Sequence, residues 1–217
     1  MKIGIIGAGF IGRAVARLAV QHGHEVMISN SRHPRTLAST MVAVRCQVGT
    51  AQMAAEFGDV VLVAVPFFAA RDLAPQPLAG KIVMDANNYY PQRDGNEEAL
   101  DNHTTTTSEI LANHLRGARI VKAFNAILER DIEKDSRPHG AADRRALPIA
   151  GDDKEAKRVV SELLDDLGYD VVDAGALAEG WRFERARPAY CVPLDVAGLK
   201  QALENAGSSV AEGSWRE

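Results

Sequence analysis

An apolar run over residues 3–6 stops abruptly at Gly7, and Ile11, Val15 and Leu18 then recur at helical spacing. A continuous apolar run that gives way to every third or fourth position marks a buried strand turning into a helix with one apolar face. The same reading predicts a first helix over 11–22, closed by Gly23 where a C-terminal cap belongs, and a strand over 25–29. It continues with a short helix over 34–41, a strand over 45–48 and a helix over 50–57 that Thr50 can cap. Residues 59–65 and 81–85 are strands with no polar alternation, as expected of central parallel strands covered on both faces. Beyond them lie a capping box from Thr106 to Glu109, a strand over 119–122, and a charged stretch over 129–145 that reads as an exposed connection. Strands over 146–150 and 169–173 flank a helix whose apolar stripe includes Ala156, Val160, Leu163, Leu164 and Leu167. A capping box from Asp152 to Glu155 is expected to open that helix, and Val196, Leu199 and Leu203 mark a last one.

The break at Gly7 carries the first chemistry. Gly7, Ala8, Gly9, Phe10, Ile11 and Gly12 form a G-x-G-x-x-G between a strand and a helix, the fingerprint of dinucleotide binding. Gly7 permits the tight turn, Gly9 lets the backbone approach a pyrophosphate, Gly12 lets helix and strand pack closely, and the helix N-terminus offers free N–H groups to phosphate. The second strand ends in Asn30, Ser31 and Arg32, where an enzyme selecting NAD would carry an acidic residue for the ribose. Neutral donors and a guanidinium suit a 2′-phosphate, so NADP (NADPH) is the expected cofactor. Pro66, Asn87 and Asn125 fall just beyond three later strands, where side chains or backbone can line a nicotinamide pocket.

These elements predict an α/β chain: a Rossmann-type, doubly wound, mostly parallel sheet with a small C-terminal α/β or helical cap. The division expected is an NADP-binding domain over 1–122 and a smaller domain over 123–217 that completes the acceptor pocket, with the strands near 146–150 and 169–173 able to extend the first sheet.

Composition narrows the classes. A net charge of -4 gives no electrostatic pull toward nucleic acid. Cys46 and Cys191 match no metal spacing, and His22 and His24 lack a third ligand nearby, so no metal is expected and both histidines read as surface residues of a helix–strand turn. No signal peptide or membrane span is legible, and a cytoplasmic protein is expected. Arg137, Arg144 and Arg145 read as solvated loop residues, and the Thr104 to Thr107 run as a solvated helix start. Trp181, Phe183 and Tyr190 read as a hydrophobic cap or a contact of a homodimer, with a stacking platform as the alternative.

With these segments placed, the chain resembles the NADP-dependent oxidoreductases of the deazaflavin coenzyme F420, whose relatives include the cytosolic domains of membrane metalloreductases. The resemblance rests on the fingerprint, on residues 23–26, on Ser31-Arg32, Val65-Pro66, 83–87 ending at Asn87, Lys122-Ala123-Phe124-Asn125, 149–153, and 173–177 with Glu184 following. It implies a nicotinamide at the strand ends and hydride passing directly to a deazaflavin (coenzyme F420) or flavin-like small-molecule acceptor. It also implies cofactor contacts at Ser31 and Arg32 and no obligatory protein acid or base. Two other functions share the same fingerprint. One is a small-molecule dehydrogenase or imine reductase with Tyr89 or Tyr90 as proton donor, and the other is an NADP(H) sensor without chemistry.

Overall fold

The computed structural model describes residues 1–207. Its strands are β1 (Lys2–Ile6), β2 (Glu25–Ser29), β3 (Gln47–Gly49), β4 (Val60–Val63), β5 (Ile82–Asp85), β6 (Arg119–Lys122), β7 (Ala146–Gly151) and β8 (Asp170–Asp173). They form one sheet in the order β3-β2-β1-β4-β5-β6-β7-β8. The first six are parallel, in the doubly wound order, so the chain reverses direction across the sheet between β1 and β4. β7 joins β6 antiparallel, and β8 runs parallel to β7.

Helix α1 (Phe10–Gln21) connects β1 to β2, and α2 (Ala38–Val44) and α3 (Ala51–Phe57) lie on either side of β3 in the chain. Then come α4 (Thr107–His114), α5 (Lys154–Asp166) and α6 (Val196–Glu204), with shorter turns between them. The β-branched runs are continuous because both faces are covered. Val60 and Leu62 belong to the same buried cluster as Val15, Leu18, Val160 and Leu164, while Val61 and Val63 belong to a second one with Ala54, Leu111 and Leu115. Each such side chain taken fully out of water contributes roughly 1.5–3 kcal/mol before entropy is set against it. A third cluster, with Phe183, Leu199 and Leu203, covers the β7–β8 end.

Four local expectations are corrected. The charged stretch over 129–145 is not simply an exposed connection: Glu129–Ile132 is helical, and the Arg144 and Arg145 side chains are each only 3% exposed. Arg145 pairs with Asp135 at 2.8 Å and Arg144 with Asp165 at 2.8 Å and Asp170 at 3.0 Å, because carboxylates from neighbouring segments converge there. His22 is exposed as expected, whereas His24 sits 9% exposed with Nε2 2.8 Å from Asp166, so it belongs to the fold rather than to the surface. Helix α5 is capped by Asp153, whose Oδ1 accepts from the Ala156 N–H at 2.8 Å. Asp152 instead accepts from the Leu177 N–H at 2.9 Å and ties down the following segment. The other capping box, Thr106 with Glu109, forms as expected, but this helix start is not solvated throughout: Thr106 and Thr107 are buried, because the Thr107 hydroxyl faces Lys122 and Glu184 inside the fold.

Candidate active site

The glycine loop is held by the sheet itself. Gly7 has φ +118°, and its N–H donates to the Ser29 carbonyl at 3.0 Å. A Cβ there would lie 2.1 Å from the Ala64 carbonyl oxygen, and one at Gly12 would lie 1.9 Å from the Gly7 carbonyl oxygen. Side chains at these positions are excluded by backbone, which cannot step aside cheaply. Gly9 differs: a Cβ there would meet nothing within 4 Å, so the fold leaves open space in front of it. Gly9 is also the N-cap of α1, with no side-chain cap and no acidic residue in the first turn. By contrast α3, α4, α5 and α6 are capped by Thr50, Thr106, Asp153 and Asp195. The free N–H groups of α1 are therefore left for an anion. Ala8 and Ile11 are half-buried, while Phe10 is 74% exposed beside this opening.

At the end of β2, Asn30 forms a compact turn, accepting from the Arg32 N–H at 3.0 Å and donating to Thr36 Oγ1 at 3.0 Å. Ser31 and Arg32 are exposed beyond it. The three remaining strand ends are joined by hydrogen bonds. Val65 N–H, just before the exposed Pro66, donates to Asn87 Oδ1 at 3.1 Å, and Asn87 N–H donates to Asp85 Oδ1 at 3.0 Å. Asn125 Nδ2 donates to Asn88 Oδ1 at 3.2 Å and to the Phe183 carbonyl at 3.0 Å, while Ala123 is fully buried at the end of β6. Two polar atoms of this cluster, Asn87 Nδ2 and Asn125 Oδ1, are buried without a partner. A buried donor and a buried acceptor left unmatched each cost free energy, which a ligand carrying the complementary pair would recover.

Behind the asparagines stands a group to which the sequence assigns no role beyond its place in the resemblance. Lys122 closes β6 with its side chain fully buried. Its Nζ donates to Thr107 Oγ1 at 2.7 Å, Ser108 Oγ at 3.2 Å and the Asn87 carbonyl at 3.3 Å, and lies 3.1 Å from Glu184 Oε1. Thr107 Oγ1 donates to the same Glu184 oxygen at 2.8 Å, and Ser108 Oγ to Asp85 Oδ2 at 2.6 Å. Gly180 leaves room for the lysine stem, since a Cβ there would come within 2.7 Å of Lys122 Cδ. Burial pushes the Asp85 carboxyl above its ordinary range, only partly offset by Lys122. Burial acts the same way on Glu184, yet the Lys122 charge and the bonds from Thr107 and Lys122 outweigh it and hold that carboxyl below the ordinary range. A lysine inside a strand of apolar residues reads as a strand-end residue, and no sequence spacing announces partners that come from 15 and 62 positions away.

Glu184 also faces a cleft of about 740 Å³ whose walls include Tyr89, Leu100, Thr106, Trp181 and Arg187. The aromatic segment thus divides: Phe183 is buried in the core, Trp181 lines the cleft, and the Tyr190 hydroxyl meets that of Tyr90 at 2.7 Å. Tyr89 lines the same cleft, its hydroxyl donating to Asp101 Oδ1 at 2.9 Å and accepting from the Glu97 N–H at 2.9 Å. Among the described residues there is no group of histidine, cysteine and carboxylate side chains able to hold a metal ion, and no helix long and apolar enough to cross a membrane.

Fold and crevice together define a Rossmann-type α/β protein with the glycine loop of dinucleotide binders. Residues 2–89 match the model of the family described as NADP oxidoreductase, coenzyme F420-dependent. It is 32% identical over 203 residues to metalloreductase STEAP3 of Rattus norvegicus, a match that covers 90% of this chain and 39% of that protein. The hypothetical protein SMa0349 of Sinorhizobium meliloti is 31% identical, with a TM-score of 0.78 over 89% of this chain and 94% of that one. A candidate F420-dependent NADP reductase of Arthrobacter sp. FB24 is 26% identical, with a TM-score of 0.71 over 83% of this chain and 87% of that one. The chain therefore spans well under two thirds of the metalloreductase it matches.

Proposed function

We propose that this protein exchanges a hydride between NADP(H) and a planar deazaflavin or flavin-like carrier. When bound, the nicotinamide supplies or receives the hydride. The observation that carries the reading is the pairing of an uncapped, glycine-opened helix N-terminus with two orphaned asparagine atoms at the ends of neighbouring strands. The first suits a pyrophosphate, and Gly9 admits its close approach. The second presents one donor, Asn87 Nδ2, and one acceptor, Asn125 Oδ1, which is what a primary carboxamide such as that of nicotinamide requires. Val65 and Pro66 border the same edge, and Ser31 and Arg32 stand where the adenosine 2′-phosphate would be read. Residues beyond 123 contribute Trp181 and Glu184 to a cleft large enough for a tricyclic ring, which Tyr89, two residues past Asn87 in the chain, also lines. Holding two rings at fixed distance and excluding water is the main requirement of hydride transfer.

Titration with NADPH and NADH tests the nucleotide half. Arg32→Ala should weaken NADPH by about 1–3 kcal/mol and leave NADH nearly unchanged, as for loss of a charge-assisted hydrogen bond. Equal losses for both cofactors refute the assignment of that loop. The carrier half is tested by following NADPH absorbance after mixing with coenzyme F420 or FMN. Steady loss marks turnover, and saturable cofactor binding with neither carrier consumed would move the reading to a sensor.

A further inference from the structure

Hydride exchange with a ring carrier of this kind also moves a proton, and the family resemblance assigns that proton to no protein group. We propose that Glu184 is the base that takes the ring N–H proton of the reduced carrier as its hydride leaves for NADP⁺, and that Lys122 and Thr107 are the positioning residues that keep Glu184 ready for it. This rests on the function proposed above and deepens it.

The step balances as follows. The bond to hydrogen at the carrier's central ring position, C–H in a deazaflavin and N–H in a flavin, breaks with its electron pair, which goes as hydride to the nicotinamide. A second, separate ring N–H bond breaks with its pair staying in the ring, and the proton goes to a Glu184 carboxylate oxygen and from there to solvent. The carrier is oxidised, NADP⁺ is reduced, and one proton is released. In the opposite direction the same oxygen returns the proton.

Glu184 is singled out by position. Other titratable groups line the cleft, but Asp101 is bonded to the Tyr89 hydroxyl, Glu109 is occupied by the Thr106 N–H and Thr105, and His103 is an exposed residue. Glu184 combines 23% side-chain exposure with a bonded route back to the strand ends, through Lys122 to the Asn87 carbonyl. It also follows Phe183, whose carbonyl is held by Asn125. Both bonds from Lys122 and Thr107 end on Oε1. The charged groups that act on it are Lys122 from β6, Asp85 from β5 and Arg187 from its own segment, while α4 contributes the hydroxyls of Thr107 and, through Lys122, Ser108. A fully buried ammonium beside it keeps the carboxylate ionised, which is the state a base requires.

The test uses the full chain with reduced coenzyme F420 and reduced FMN as probes. In Glu184→Gln, kcat for NADP⁺ reduction should fall roughly 100-fold, as for removal of a general base, with the affinity for NADP⁺ unchanged. The residual rate should rise with pH and with buffer concentration around neutrality, where the parent protein is flat, because water and buffer then take the proton. Equilibrium binding of the reduced probe, measured without NADP⁺, should weaken about tenfold against no change for the oxidised probe, since an N–H to carboxylate bond has been lost. Glu184→Asp keeps a carboxylate and should restore the flat pH profile at a reduced rate, and it carries the test if the glutamine variant fails to fold. A Glu184→Gln protein with parental kcat and a flat profile, or an aspartate variant no better than the glutamine one, overturns the assignment. If the parent protein turns over neither probe, the proposed function itself falls and the proton assignment falls with it.

Discussion

Single residues set what the crevice admits. Gly12 and Gly9 belong to one motif but answer to different constraints, since a Cβ at Gly12 would run into backbone and one at Gly9 would enter open space. Gly12→Ala should therefore lower the thermal unfolding midpoint and abolish NADPH binding together. Gly9→Ala should unfold within about 0.5–1 kcal/mol of the parent and yet bind NADPH far more weakly, because the added methyl occupies the approach of the pyrophosphate. Thermal unfolding with and without cofactor separates the two cases. At this scale the glycines were legible in sequence, because a motif of local backbone geometry needs only neighbours in the chain. The pairing of Lys122 with Glu184 was not, as the role of each lies in the other and in Thr107.

At the scale of elements, periodicity located each strand and each long helix, and the disagreements sit at their ends. The last residues of an element are decided by hydrogen bonds rather than by apolar pattern. Helix α5 shows why: Asp152 and Asp153 both suit a cap, and the Leu177 N–H takes the first, which leaves the second to the helix. Asp153→Ala should cost about 0.5–2 kcal/mol of stability in chemical denaturation, as for loss of an N-cap. Asp152→Ala should leave α5 intact by circular dichroism and loosen the segment after Leu177, seen as faster amide exchange there. The stretch before β7 was misread for a related reason. Its arginines looked solvated because the carboxylates that bury them, Asp135, Asp165 and Asp170, are distributed over segments that meet only in the folded chain.

For the whole molecule, the two carboxylates around Lys122 link stability to pH with opposite signs. Glu184 is held below its ordinary value of 4.5, so the unfolded chain binds its proton more readily, and its contribution is fully present above 4.5 and is lost as pH falls through the folded value. Asp85 is raised above its ordinary value of 3.8, so the folded protein binds that proton more readily, and its contribution is present below 3.8 and is lost as pH rises through the folded value. Unfolding midpoints measured against pH should thus fall less steeply toward acid in Glu184→Gln than in the parent. In Asp85→Asn they should lose less on going from acid toward neutral pH. Slopes unchanged in both variants would mean that neither carboxylate is coupled to folding.

The amino-acid sequence by itself determined the local part of this protein: where strands and helices fall, that a glycine turn opens the first helix, and that an arginine rather than an acid follows the second strand. Those features depend on backbone conformation and on residues within a turn of one another, so a linear reading suffices. The tertiary structure alone decided the order in which eight strands lie, the antiparallel turn at β7, and the contact of Lys122 with a glutamate 62 residues later. A charge acquires its chemistry from the dielectric and the partners around it, and both exist only once the chain has packed.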